Sequence, residues 1–454
     1  MDAYDLKTPD SYAEHLAQLD SSGAVIASND ILNEDGLLLV KKGFSIKSDT
    51  VKRLLNHKLV QPLEMSVSIE NAIGAQRLFD DIMFLLRADK ESQAIHQAFD
   101  LDNVLRRQCH AYASRPLLTQ KITVLSSRLN AEYSKALFCA WFSMALATQM
   151  RWDESAIEDA FIAGLVHDTG LLHINPEIVE KEGEYTPEEW RALQSHSLIA
   201  DMFLSYVEGL STNVRRAVRE HHERRDGTGY PAALFSDKLC TLGQLIAMAD
   251  TVWAISKKPC GRKAHSLTEV MSIIKMNTEQ HPEDVHSALY HLYQGAGLDT
   301  VAPDIKPNPD LGECLINMAQ QLHQRFGTAD RLRGLLPDAS TTDKIMRSAH
   351  FKLERLWFIV NGSGLLAEST AQWLERVQQK GEKAAAYDMH EMSLMYGELQ
   401  WQLAQLSRIL QLVLSRSNSL DESLRTQIQA VVEALSQPLE GGNPQQLAAN
   451  IGVA

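Results

Sequence analysis

The run His221-His222-Glu223-Arg224-Arg225-Asp226-Gly227-Thr228-Gly229-Tyr230-Pro231, with His167-Asp168 upstream of it, constrains this chain more than any other feature. Adjacent histidines followed by an acidic, arginine-bearing loop are costly to bury unless something binds them. A neutral imidazole is the commonest transition-metal ligand, and a carboxylate beside one can bridge two cations. Gly227 and Gly229 open backbone conformations closed to other residues, and Pro231 stops the turn. The competing reading is a satisfied histidine pair at a helix end before an ordinary turn. It weakens once the rest of the set is counted. Ala163-Gly-Leu-Val-His167-Asp168-Thr-Gly170, His196 and Ala249-Asp250 each sit inside, or at the end of, a stretch with helical spacing of apolar residues.

Together these pieces resemble the HD-GYP domain, the phosphodiesterase branch of the HD metal-hydrolase superfamily. The likeness runs from about Tyr133 to about Pro259 and includes Glu184 to Trp190 and Leu245 to Asp250. It implies a mainly α fold, a helical bundle whose His and Asp side chains hold divalent metal ions, two of them, iron or manganese. It implies Asp168 as the bridging carboxylate, His167 and Asp250 on one metal, and His196, His221 and His222 toward the other. His167 and Asp168 are thereby assigned to catalysis, and Arg224, Arg225, Gly229, Tyr230 and Pro231 to substrate binding. The implied substrate is cyclic di-GMP, opened to the linear dinucleotide or cut on to GMP. The attacking group would be a hydroxide held between the two cations, its pKa brought toward neutrality.

Two positions depart from the family pattern. Where the family's first metal histidine precedes a serine, this chain reads Glu132-Tyr133-Ser134, which puts Tyr133 at the ligand's place. A neutral phenol is a poor ligand for a divalent ion. Where the family follows His-Asp-x-Gly with lysine, this chain has Leu171, which removes a cation from the reacting phosphoryl group. His173, two residues on, either compensates or is a surface histidine at a helix end. Two function classes follow. One is a metal-dependent phosphodiesterase in bacterial signalling. The other is a degenerate scaffold that binds cyclic di-GMP, or a diguanylate cyclase or other protein through the Gly-Tyr-Pro loop or the C-terminal helices.

The 454 residues are enough for two or three domains. Residues 1–63 read as a small β/α module, with strand-like runs at Ala24 to Ala27, Ile31-Leu32 and Leu37 to Val40. Asp35-Gly36 is a hairpin signal, and Ser48 to Leu55 is a short helix. Residues 64–116 read as connecting helices, residues 117–300 as the HD-GYP domain, and 301–310 as a proline-rich linker. Residues 311–440 form a C-terminal helical region, and 441–454 a loose tail. In that region Leu399, Leu403, Leu406, Leu410 and Val413 alternate by four and three, a seam that suits a homodimer or partner as well as internal packing. Five cysteines without short paired spacing fit reduced thiols in a cytoplasm. Net charge −14 argues against a nucleic-acid polymer or an anionic membrane surface as partner. No apolar run is long enough to span a membrane, and Met1 to Asp20 holds no secretory signal, so a cytoplasmic location is expected.

Overall fold

The computed structural model describes residues 11–19, 25–54, 56–181, 183, 185–235, 238–256, 265–277, 281–298, 311–336, 343–380, 385–416 and 420–437. The proline-rich stretch 301–310, the tail 441–454, Glu184, Lys258-Pro259 and Cys260 lie outside the described residues. The fold is mainly α, with two small antiparallel sheets near the N-terminus. The chain forms two compact units, Met1–His222 with Cys240–Asp250, and Glu223–Leu239 with Thr251–Ala454.

The first unit begins with α1 (Ser11–Ala17), β1 (Val25–Ala27), β2 (Ile31–Leu32), β3 (Leu38–Val40) and α2 (Ser48–Leu54). The Asp35-Gly36 signal is met by the β2–β3 hairpin, where the Asn33 side-chain oxygen accepts from the Leu37 amide at 2.8 Å. The partner of β1 is β4 (Val67–Ile69), beyond the residue-63 boundary and inside the span expected to be helical. Its buried-exposed-buried pattern, Val67-Ser68-Ile69, is too short to stand out from helical neighbours.

Helices α3 (Ala75–Arg87), α4 (Lys90–Ala98) and α5 (Asp102–Ala113) follow, and α3 buries Leu78, Phe79, Ile82 and Leu86 along one face. Pro116 then opens α6 (Pro116–Arg128) at the first helical position, where its missing N–H leaves nothing unsatisfied. The centre of the unit is the pair α7 (Asn130–Gln149) and α8 (Glu154–Val166). Every residue from Ala136 to Ala147 of α7 is buried, as expected of a helix that is apolar all round. Gly164 lets α8 lie close against it, since a Cβ there would come within 2.5 Å of the Cys139 carbonyl oxygen. The one polar atom of Trp141 is satisfied by donating to His96 Nδ1 at 3.2 Å, and His96 Nε2 in turn meets Asp102 at 2.7 Å. Beyond α8 come a 3₁₀ turn (Thr169–His173), α9 (Pro176–Val179), α10 (Pro187–Gln194), α11 (His196–Leu204), α12 (Thr212–Glu220) and α13 (Thr241–Ser256).

The second unit contains α14 (Leu267–Lys275), α15 (Glu283–Gly295), α16 (Leu311–Asp330), α17 (Lys344–Ser363), α18 (Glu368–Lys380), α19 (Ala386–Arg416) and α20 (Glu422–Ser436). The leucine seam of α19 is consumed inside this unit: Leu399, Leu403, Leu406, Leu410 and Val413 are at most 2 % exposed. They belong to one core with Leu315 and Leu322 of α16, Leu353 and Leu356 of α17, and Ile428 and Val431 of α20. The partner-seam alternative is therefore closed for these five residues. Beside this core runs a buried polar chain. Lys352 donates to Gln402, Gln402 to Glu398 at 2.7 Å, Asn277 to Glu398 at 2.7 Å, and Arg355 to Asn277 at 2.7 Å. Burial, helped by the Arg355 charge, pushes Lys352 down to about 7.

Because the seam is internal, Leu406→Ala should destabilise the second unit by about 2–5 kcal/mol, the usual loss for a buried leucine. The loss is read as a lower urea midpoint at unchanged oligomeric mass. A changed mass with an unchanged midpoint would return the seam to a partner.

Candidate metal centre

Four backbone features of the first unit bring the motif residues together. His167 closes α8 and Asp168 follows it, leading into the 3₁₀ turn, where the Leu171 amide bonds back to the Asp168 carbonyl at 2.9 Å. Gly170 of that turn lies against the first residue of α11, where an added Cβ would fall 1.9 Å from the His196 carbonyl oxygen. His221 follows the end of α12, and Asp250 lies on α13. Glu220 ties those two helices, accepting from the Cys240 amide at 2.9 Å and from Arg216 at 2.8 Å.

Three of the histidines are oriented by the carbonyl three residues before each of them. Nδ1 of His167 lies 2.8 Å from the Gly164 carbonyl, that of His196 2.6 Å from the Leu193 carbonyl, and that of His221 2.6 Å from the Val218 carbonyl. A carbonyl can only accept, so each Nδ1 carries a proton, and each ring in its neutral form presents a lone pair at Nε2. Those lone pairs converge on one carboxylate. Asp168 Oδ1 is 3.2 Å from His196 Nε2 and 3.7 Å from His221 Nε2, while Oδ2 is 3.2 Å from His167 Nε2. The Nε2 atoms of His196 and His221 stand 3.4 Å apart, and the His222 ring lies 4.0 Å from that of His221, centroid to centroid. Lone pairs aimed at one another and at a carboxylate repel unless a cation lies among them. Asp168, His196, His221 and His222 offer ligand atoms close enough for one ion, and Cys139, His167 and Asp250 form a second such group. His167 Nε2, Asp168 Oδ2 and Asp250 Oδ1 are buried without a well-directed hydrogen bond. The donor set therefore fits a divalent transition metal held by nitrogen and oxygen.

One cation is supplied by the chain itself. Lys135 Nζ lies 2.8 Å from Asp168 Oδ2 and 2.8 Å from Asp250 Oδ1, ionic contacts by distance. Burial pushes this ammonium down, but Asp168 and Asp250 outweigh it and hold Lys135 well above its ordinary value. Burial raises Glu132 beside it. Tyr133, expected at the ligand's place, instead donates its hydroxyl to Asp81 of α3 at 2.8 Å. Helix phase explains the correction. Residues 133 and 135 are separated by about 200° around a helix, so a helix that aims Lys135 at Asp168 turns Tyr133 away. The stripe facing the centre is Glu132, Lys135 and Cys139, spaced by three and four. The sequence held that signal as two ionisable residues one turn apart at the head of an apolar helix.

The other departures are also placed. Leu171 is buried at 8 % exposure within the 3₁₀ turn. His173 is not a surface histidine: it meets Lys121 Nζ at 2.7 Å and stacks on Tyr12 at 5.1 Å. Lys121 is fully buried and also paired with Glu64 at 2.5 Å. The loop residues expected to bind substrate belong to the second unit. Glu223 closes that loop on itself, accepting from the Ala232 amide at 2.6 Å and the Leu234 amide at 2.8 Å. Asp226 accepts from Thr228 and lies 3.7 Å from Arg355, while Arg225 donates to the His281 carbonyl at 3.1 Å. Arg224, Gly229, Tyr230 and Pro231 are half-buried, with a cis bond between the last two.

Burial pushes His221 down to about 4, helped by His167 and His196 against the pull of Asp168, and burial likewise holds His222 well below its ordinary range. An unfolded histidine titrates near about 6.5. As pH falls from there toward about 4, the unfolded chain takes up protons that the fold refuses, so these two residues lose stability for the metal-free protein. His167 is also pushed down by burial, but Asp168 raises it overall, so its contribution is already complete below 6.5 and does not change across the window. Chelator-stripped protein should therefore show a lower urea midpoint at pH 4.5 than at pH 6.5. A higher midpoint at pH 4.5 would contradict this charge assignment.

Comparison with known proteins adds an independent line. A family model for the HD domain matches residues 116–283. A 3′3′-cGAMP-specific phosphodiesterase of Vibrio cholerae is 37 % identical over 115 residues, 25 % of this chain and 26 % of that protein. A cyclic di-GMP phosphodiesterase of Pseudomonas aeruginosa is 30 % identical over 128 residues, 28 % of this chain and 31 % of its own length. One of Thermotoga maritima is 31 % identical over 121 residues, 26 % of this chain and 33 % of its own length. The chain thus spans a third or less of the length of these relatives. With the HD match bracketing His167-Asp168 and running past Gly229-Tyr230-Pro231, the matched region of this chain is an HD-GYP domain.

Proposed function

We propose that this chain hydrolyses a phosphodiester bond of a 3′3′-cyclic dinucleotide, cyclic di-GMP being the first candidate. The observation that carries the reading is the convergence of the His196 and His221 Nε2 atoms on Asp168 Oδ1, each ring locked by a carbonyl behind it. A divalent ion, iron or manganese, held by Asp168, His196, His221 and His222 would supply Lewis acidity and a water of lowered pKa. The chain's own residues do the rest. The Nδ1 bonds keep the ligand nitrogens aimed without reorganisation. The Lys135 ammonium offsets the charge of Asp168 and Asp250, so two buried carboxylates can both stay ionised. Arg224 and Arg225 come after His221-His222 in the sequence, with Glu223 between, and arginine offers a cation of the geometry that phosphate prefers. The relatives support both cyclic di-GMP and 3′3′-cGAMP as substrates to be compared.

A second reading, binding without turnover, is favoured by Leu171. That side chain leaves no cation at the place where the family meets a substrate phosphate. Hydrolysis of the two dinucleotides by protein purified without oxygen and loaded with manganese or ferrous iron separates these readings. Turnover of either substrate supports the hydrolase. Binding with no product from either gives the site to the scaffold.

Asp168→Ala should abolish metal retention and hydrolysis together, since the histidine lone pairs lose the carboxylate they converge on. A full metal content in that variant would remove Asp168 from the ligand set. Arg224→Ala should raise KM about tenfold or more, from the loss of a charge-assisted contact of about 1.5–3 kcal/mol. An unchanged KM would release Arg224 from the substrate.

A further inference from the structure

We infer that the Lys135 ammonium takes the place of a second metal ion, so that this centre holds a single divalent ion in its Asp168, His196, His221 and His222 half. The inference rests on the hydrolase reading for the presence of that ion and changes its number. The two oxygens of Asp168 face different neighbours. Oδ1 faces His196 and His221, and Oδ2 faces His167 and Lys135. Asp250, the other carboxylate of the second ligand group, spends Oδ1 on the same ammonium at 2.8 Å. A metal bridging these carboxylates would lie about 2.0–2.2 Å from the same oxygens. An ammonium at 2.8 Å from both leaves no room for it, and the two like charges repel at that separation.

The lysine is also held in place. It sits on α7, the central helix, with its side chain 18 % exposed, and Cys139 lies one turn further along the same stripe. Withdrawing the ammonium would leave Asp168 and Asp250 buried with one positive neighbour fewer, which is unfavourable in a low-dielectric interior. A fixed single charge thus stands in the half where the family's pattern calls for a dication. What remains for metal is one nitrogen-rich site.

Metal counting tests this directly. Wild-type protein, Lys135→His and Tyr133→His are purified without oxygen, saturated with Mn(II), freed of loose ion, and analysed for manganese per chain and by electron paramagnetic resonance. The wild type should hold one ion with the spectrum of an isolated Mn(II). Lys135→His should hold two, with the broadened signal of a coupled pair. Tyr133→His should stay at one, because that side chain is turned to Asp81. Two ions in the wild type would overturn the inference, and that result needs no variant. A folded Lys135→His that still holds one ion would overturn it too, because lysine would not be what excludes the second. A wild type without any ion would sink the metal reading and this inference together. One ion without dinucleotide hydrolysis would sink the function while leaving the inference standing.

Discussion

The centre depends on a single buried carboxylate that meets positive charge, or its lone-pair precursors, from two sides. Asp168 is 2 % exposed, and an isolated ionised carboxylate in that environment would be strongly unfavourable. Burial alone would raise its pKa, but the neighbouring His167 and Lys135 carry it well below the ordinary range. Five segments of the first unit are placed by that requirement: the head of α7, the end of α8 with its 3₁₀ turn, the start of α11, the end of α12 and the middle of α13. Gly164 and Gly170 are the steric conditions for it. Without them the Cys139 and His196 carbonyls could not approach so closely. The same device repeats at three histidines, a ring nitrogen bound to the carbonyl three residues back, so the ligand geometry is built from local helix-end structure.

Much of this was legible in the sequence, and what was not has physical reasons. His167, Asp168, His196, His221, His222 and Asp250 could be named because the resemblance to HD-GYP domains singles them out, and the structure places all six in one unit. Lys135 is not marked by the motif, which points to Tyr133, because the face of α7 that meets Asp168 is decided by helix phase. Glu132, Lys135 and Cys139 share that face; Tyr133 cannot. The strand Val67–Ile69 escaped because three residues of alternation carry too little periodicity against a helical context. The leucines of α19 were visible as a seam but not as an internal one. A repeat of four and three is the same whether the partner helix comes from another copy or, as here, from α16, α17 and α20 of the same unit.

The Gly-Tyr-Pro loop shows a different economy of charge. Glu223, which sequence alone could assign to chemistry, uses both oxygens on the amides of Ala232 and Leu234 and so shapes the turn. Asp226 takes the Thr228 amide and hydroxyl and faces Arg355, one link from the buried Asn277, Glu398 and Gln402 chain. Both acids of the loop thus brace its backbone. That assigns the C-terminal helices a part in holding the loop's conformation within the second unit, a part that no motif in 311–440 announced.

On the division proposed above, metal takes the Oδ1 side of Asp168 and the lysine ammonium the Oδ2 side. Anomalous diffraction from manganese-loaded crystals tests it most directly. The expected result is one anomalous peak per chain, about 2.0–2.2 Å from ligand atoms of His196, His221 and Asp168 Oδ1, with Lys135 still between Asp168 and Asp250. A peak between those two carboxylates with Lys135 displaced would contradict it, as would strong density only at sites remote from Asp168.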